Sequence, residues 1–551
     1  MFDFSVKNRQ NFLDSISITH YDLIVIGGGI TGAGIALDAA TRGLKTLLLE
    51  KDDFSSGTSS KSTKLIHGGL RYLKQFEIAL VREVGRERAT VHRLAPHLVT
   101  SEKMLLPLTK DGTFGKLMTS VGLMVYDILA GVEDADQRLM LDIDETMEKE
   151  PLLDKEEVVG SGLYAEYRTD DSRLTIEVIK TAVEAGAICL NYAEVTDFQY
   201  NEGAVTGVIY RDILSGKQFE ASAKNTVSAA GPWVDELRSK DGSLKGKKLH
   251  LTKGVHLVFP HEKLPVKQAV YFDVPDGRMI FAIPRGKITY VGTTDTNYTG
   301  DKDKILTDAE DAQYLIDAVN NMFPALQLTI NDVASTWAGV RPLIHEEGKS
   351  ASELSRKDEI FESESGLLSI AGGKLTGYRK MAERITDLVM EKLYELEGRE
   401  NVKCTTDQTI LHGGPFEGAG AVKNYFGELI NKYDGKISRN DVRYLVSTYG
   451  RQADKVLARF DEIENNYPDK EEALLLAETH YCLENEMIVN TLDFVVRRTG
   501  RLFFDIDSIR KYSDRIINTL AKELQWTSTK IEAEKESLKT ALWEASEVFK
   551  G

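Results

Sequence analysis

Residues Tyr21 to Glu50 read YDLIVIGGGITGAGIALDAATRGLKTLLLE. Leu23 to Ile26 is a short apolar run of the kind that forms a strand buried on both faces. Gly27, Gly29 and Gly32 follow in G-x-G-x-x-G spacing, and a helical pattern continues through Arg42. Lys45 to Leu49 reads as a second parallel strand that ends on Glu50, 18 positions beyond Gly32 (50 − 32). This is the strand–helix–strand context of a dinucleotide fingerprint. Gly27 allows the tight turn, Gly29 admits a pyrophosphate against the backbone, and Gly32 lets helix and strand pack closely. The helix N-terminus offers N–H groups and partial positive charge to the pyrophosphate, and Glu50 can accept from ribose hydroxyls.

The chain around this unit has 551 residues, enough for two or three domains. Hydrophobic content of 42% and charged content of 28% describe a globular protein. A net charge of −17 argues against nucleic acid as a main partner, so an anionic ligand needs a local basic pocket. Cys189, Cys404 and Cys482 are few and far apart, which fits a reducing cytoplasm and supplies no disulfide framework or metal site. The first 20 residues lack a continuous apolar core, so no signal peptide is expected. Leu117 to Val132 is the most lipid-like stretch. It is too short to span a bilayer and carries Asp127, leaving a buried core helix or a monotopic membrane contact.

Residues 1–19 read as an arm leading into the first strand. The Ser/Thr/Gly density of Ser55 to Thr63 predicts an ordered loop rich in hydroxyls, followed by Lys64-Leu65-Ile66, the pair Gly68-Gly69, and Arg71-Tyr72. A Gly pair beside His67 and Arg71 suggests backbone approached closely by something flat or anionic. Asp170 and Asp171 precede an apolar-periodic run and suit a helix cap and first turn. Ile188 to Ala223 reads as a small meander turning at Asn201-Glu202-Gly203. Gly231-Pro232-Trp233 marks a sharp turn into a helix. Leu249 to Tyr298 is a run of strands, the mark of a mainly antiparallel sheet. Leu367 to Ala371 runs into Gly372-Gly373-Lys374-Leu375-Thr376 and a helix, a second place where a helix N-terminus can face a ligand. Beyond about residue 399 helical, charge-rich patterns dominate. Within them Arg497, Arg498 and Arg501 form a basic cluster with a surface or interface role.

IGGGITGAGIALDAATRGL, TSSKSTKLIHGGLRYL, YRTDDSRL, KGVHLVFP, VGTTDT, WAGVRPL, AGGKLTGYRKMAE and VRRTGRLFF together resemble the FAD-dependent glycerol-3-phosphate dehydrogenases, within the D-amino-acid-oxidase-like flavoproteins. The resemblance covers almost the whole chain. It departs at Ser228-Ala229-Ala230-Gly231-Pro232-Trp233, where Ala230 replaces the family's Thr, so only the backbone turn at Gly231 carries over. The implied fold is an α/β FAD-binding Rossmann-like domain (20–98, 165–247 and 352–398), a mainly antiparallel β-sheet substrate domain (99–164 and 248–351) and a helical C-terminal domain (399–551). The implied reaction is oxidation of sn-glycerol 3-phosphate to dihydroxyacetone phosphate by hydride transfer to flavin N5, with electrons passed to a membrane quinone. That acceptor implies a cytoplasmic protein held peripherally at the inner membrane surface, with monomer or homodimer left open. An oxygen-using oxidase, an NAD-linked dehydrogenase and a non-enzymatic FAD-binding scaffold are the competing readings.

Through the resemblance, FAD contacts fall on Gly27, Gly29, Gly32, Glu50, Thr58, Ser59, Ser60, Lys64, Leu65, His67, Gly68, Gly69, Gly231, Gly372, Gly373, Lys374, Leu375 and Thr376. Substrate contacts fall on Arg71, Tyr72, His256, Arg341, Arg356 and Lys374, with His256, Arg341 and Lys374 catalytic and no metal. The guanidinium of Arg341 suits bidentate phosphate binding. His256 is the expected general base, since an unperturbed imidazole titrates near neutrality.

Overall fold

The computed structural model describes residues 4–66, 78–110, 137–345 and 358–551. Of the residues singled out above, His67, Gly68, Gly69, Arg71, Tyr72, Arg356 and the stretch 117–132 lie outside the described residues.

The fingerprint opens the first of two sheets. His20–Ile26 pairs in parallel with Thr46–Leu49 on one side and with Gln218–Ser228 on the other. Leu368–Gly372 and Ile188–Leu190 extend the parallel core outward, and Asp358–Glu362 closes one edge antiparallel. Leu23, Ile24, Val25, Leu47, Leu48 and Leu49 are all fully buried, as a strand pair covered by helices on both faces requires. The fingerprint helix Ile30–Thr41 packs against Asp171–Glu184 and Tyr378–Glu397. Gly34 admits that second neighbour, because a Cβ there would stand 2.9 Å from the Tyr378 ring. The expected meander is a hairpin of Ala193–Asn201 and Ala204–Asp212 added to Gln218–Ser228. Its two-residue turn, Glu202-Gly203, has positive φ at both positions, as tight hairpins prefer.

The second sheet is mainly antiparallel. Leu249–Pro260 lies between Ile288–Gly292 and Ser335–Ile344, so that His256 faces Gly292 on one neighbour and Trp337 on the other. Met279–Arg285, Ala269–Asp273, Thr100–Thr109, Val158–Arg168 and the short Leu65–Ile66 continue it, with Ala269–Asp273 and Thr100–Thr109 the one parallel pair among the described strands of this second sheet. Leu65–Ile66 follows directly from the hydroxyl-rich loop, so the loop that leaves the fingerprint ends as a strand of the other sheet.

The C-terminal helices form their own core around Leu445, Tyr449, Phe460, Cys482 and Ile509. Side-chain oxygens of Ser438, Asp469 and Thr527 accept first-turn backbone N–H groups and start three of these helices. Asp170 caps Asp171–Glu184 as expected, accepting from Arg173 N–H. Two expectations are refined. The N-terminal arm is a helix, Arg9–Ile16, whose Phe12, Leu13 and Ile16 join the first core. The basic cluster is an interface rather than a free surface, with Arg498 fully buried. No helix among the described residues is long and apolar enough to cross a membrane.

Candidate active site

A cavity of about 490 Å³ lies where the two sheets approach each other. One part of its wall is the glycine turn and the loop that covers it: Gly27, Gly29, Glu50, Thr58, Ser59 and Thr63. Gly27 has φ +110°, and a Cβ on it would stand 2.6 Å from the Ala229 carbonyl oxygen. At Gly32, behind the wall, a Cβ would stand 1.9 Å from the Gly27 oxygen, so helix and strand touch through hydrogen alone. The Ser59 hydroxyl accepts from Ile30 N–H at 2.9 Å at the start of the fingerprint helix. The Glu50 carboxylate is buried and accepts from Gly28 N–H at 2.6 Å and Asp52 N–H at 2.9 Å. Burial raises its pKa to about 7 against the pull of those two donors.

Another part of the wall is cationic in an otherwise acidic protein. Arg341 enters from Ser335–Ile344, Arg278 from the end of a turn before Met279–Arg285, and Lys374 from the segment after Leu368–Gly372. The Arg341 guanidinium lies over Gly254, where a Cβ would meet Nη2 at 2.3 Å. It donates to Thr293 Oγ1 at 2.8 Å, to the Thr294 carbonyl at 3.2 Å and to Asp295 Oδ1 at 3.2 Å. Arg278 is aligned by Asp276 at 2.6 Å and stacked on Tyr314 at 4.0 Å. Gly372 and Gly373 both have φ +80°, and Gly231 φ +51°, backbone that glycine adopts readily, and all three line the cavity with Leu375 and Thr376. Thr58 Oγ1 donates to the Val340 carbonyl at 2.8 Å and so ties the hydroxyl-rich loop to the Arg341 strand.

The structure therefore brings to one cavity Gly27, Gly29, Glu50, Thr58, Ser59, Leu65, Gly231, Arg341, Gly372, Gly373, Lys374, Leu375 and Thr376. Gly32, Ser60, Lys64 and His256 stand behind its wall. The Lys64 ammonium is spent on Asp171 and on the Ser60 carbonyl, and the Ser60 hydroxyl turns back to Gly57 O at 3.4 Å. His256 is buried and stacks on Trp337 at 4.6 Å, its Nε2 2.9 Å from Thr63 Oγ1. Its expected near-neutral pKa is corrected: burial, then Arg341 and Lys64, hold it well below the ordinary value. Lys61, Arg278, Tyr271 and Trp233 also line the cavity without having been singled out. Arg278 follows Pro275-Asp276-Gly277, where an Arg reads as a solvated turn residue.

These residues fit an FAD. The glycine turn would give a pyrophosphate a surface without side chains at a helix N-terminus, and Glu50 would keep lone pairs for a ribose. Trp233 also lines this space, and its Nε1 is buried with no hydrogen-bond partner among the described residues.

A family model described as FAD dependent oxidoreductase matches residues 22–379. A second, described as the C-terminal domain of alpha-glycerophosphate oxidase, matches residues 404–531. The chain is 50% identical over 547 residues to the aerobic glycerol-3-phosphate dehydrogenase of Bacillus subtilis strain 168, covering 98% of each. It matches the glycerol-3-phosphate dehydrogenase of Bacillus halodurans, solved in complex with FAD, with a TM-score of 0.85 and 44% identity over 99% of both chains. The L-alpha-glycerophosphate oxidase of Mycoplasma pneumoniae, 18% identical with a TM-score of 0.53 over 70% of this chain and 97% of that one, shares the fold. With its glycine turn, covering loop and cationic wall in place, this chain belongs to the FAD dependent oxidoreductases, in the family of the aerobic glycerol-3-phosphate dehydrogenases, and its cofactor is FAD.

Proposed function

We propose that the protein oxidises sn-glycerol 3-phosphate to dihydroxyacetone phosphate and passes the electrons to a membrane quinone. The observation that carries this reading is the meeting of the fingerprint wall and the Arg341 wall in one cavity. When bound, FAD would supply a two-electron acceptor for the substrate's hydride, with N5 the atom to receive it. Arg341, already oriented by Thr293 and Asp295, holds the substrate phosphate through its guanidinium fork, with Arg278 and Lys374 adding charge. Thr63 faces the cavity and His256 stands behind it, so the substrate hydroxyl proton passes to Thr63 Oγ1 as that hydroxyl's own proton passes to Nε2. The imidazole is neutral at physiological pH, and the burial and cations that keep it so also make it a weak base that holds the proton only briefly. Lys374 and the start of the following helix would stabilise negative charge developing on a cofactor ring bound beside them.

The name dehydrogenase on full-length relatives favours quinone over oxygen as acceptor. A lipid-soluble acceptor in turn places the protein peripherally on the cytoplasmic face of a membrane. The FAD-binding unit is assigned to 20–98, 165–247 and 352–398, which contain the parallel strands of the first sheet.

Anaerobic mixing with glycerol 3-phosphate tests the reading. Flavin absorbance at about 450 nm should bleach with matching formation of dihydroxyacetone phosphate. A quinone analogue should then restore the colour faster than oxygen does. A flavin that stays oxidised rejects the substrate, and faster recovery with oxygen makes the protein an oxidase.

A further inference from the structure

The loop between Glu50 and Thr58 is held from outside its own domain. Asp53 is buried, and its carboxylate accepts a bidentate pair from Arg498, Nη1 to Oδ2 at 2.6 Å and Nη2 to Oδ1 at 2.9 Å. Arg497 Nε donates to the same Oδ2, and Asn191 Nδ2 donates to Oδ1 at 3.0 Å. Both arginines are anchored on their own side: Arg498 donates to the Glu486 carbonyl at 2.8 Å and Arg497 to Asp493 at 2.6 Å. They lie on a single π-helical turn, Asp493–Arg498, a geometry that recurs where side chains must be aimed.

What Asp53 fixes is the backbone under the glycine turn. Phe54 is fully buried, and its ring occupies the place a Gly28 Cβ would need, 2.8 Å away. Ser55, at φ +65°, donates its N–H to the Gly28 carbonyl at 3.0 Å. Gly28 N–H in turn holds Glu50. The same C-terminal segment continues to Phe503 and Phe504. Their rings pack on Trp337, the residue stacked on His256, and the Phe503 carbonyl accepts from Ser335 Oγ at 2.6 Å. No described residue of this helical domain lines the cavity itself, so its influence on the cofactor is indirect, and Asp53 is its contact with the loop under the glycine turn.

We propose that Arg497 and Arg498 are positioning residues for FAD: by gripping Asp53 they press residues 53–55 onto the glycine turn, and the helical C-terminal domain thereby carries part of the affinity for the cofactor. Linkage makes the coupling reciprocal, so bound FAD also tightens the docking of that domain.

The test is FAD release from the intact holoenzyme, read as recovery of flavin fluorescence on dilution, beside the thermal unfolding midpoint of each protein. Arg498→Lys and Arg497→Lys keep the charge but lose the fork. Each should speed FAD release by about tenfold and shrink the rise in midpoint that added FAD produces. Arg173→Lys is the control. Arg173 is an equally buried link to Glu486, at 2.7 Å, and does not touch the loop. It should lower the midpoint without speeding release. If Arg498→Lys does not fold, Arg497→Lys, whose side chain is 14% exposed where that of Arg498 is fully buried, carries the test alone. Release at the wild-type rate in the loop-gripping variants, or equally fast release in Arg173→Lys, overturns the proposal.

Discussion

Gly27, Gly29, Glu50, Ser59 and Thr63 reach the cavity from one continuous stretch of chain, whereas Arg278, Arg341 and Lys374 converge on it from segments far apart in the chain, on or beside strands of two sheets. The first group works through backbone: missing Cβ atoms, a helix N-terminus, a carboxylate held by peptide N–H groups. The second works through side chains held in place by neighbours such as Asp295 and Asp276. The difference teaches where each kind of damage should appear. A methyl group added to the continuous part should remove the cofactor, and a truncation in the convergent part should leave the cofactor bound while impairing the substrate.

Gly32→Ala should have the largest effect. Its Cβ has to displace the Gly27 carbonyl, so the purified protein should be colourless, as scored by flavin absorbance. A yellow Gly32→Ala protein with normal FAD retention would erase the contrast. Thr63→Val keeps the shape of the residue and removes its hydroxyl. We expect kcat to fall roughly 100-fold with FAD retained. His256→Ala in that background should cost little more, because the two residues act in one proton path, and additive losses would separate them.

The smallest effect is a pH dependence at Glu50. Burial lifts its folded pKa from 4.5 to about 7. The stability this group contributes is therefore complete below its ordinary pKa and is lost as pH rises through about 7. Ribose donors favour the ionised form, so FAD binding should release a proton, and affinity should weaken several-fold between about pH 8 and pH 6. Glu50→Gln should flatten that dependence, and a Gln variant with the wild-type slope would assign the proton elsewhere.

The two groups also differ in how much of them can be read without a structure. Glycine spacing is local, and the turn between a strand and a helix dictates it, so Gly27, Gly29, Gly32 and Glu50 are legible from spacing alone. The role of Arg341 is legible only through resemblance, since nothing in Val340-Arg341-Pro342 distinguishes a ligand arginine from a salt bridge, and the strand–Gly-Gly–helix pattern marks the place of Lys374 but not its role. Lys61 and Arg278 were missed because a single charge in a loop looks solvated until the opposing sheet is in place. His256 was legible as a residue but not in its setting, which Trp337 and Thr63 create from distant segments. The partner of the 497–501 cluster was likewise invisible, for Asp53 lies 445 positions from Arg498. The helical domain could be recognised by periodicity, which says nothing about the loop it grips.

The most direct measurement of the central claim is an anaerobic titration with glycerol 3-phosphate, following flavin bleaching in the wild type and in Arg341→Ala. If fingerprint wall and cationic wall serve one reaction, both proteins hold FAD and the variant needs on the order of 100-fold more substrate to bleach, the loss expected for a charge-assisted pair. Equal titration curves, or a wild-type flavin that does not bleach, would contradict it.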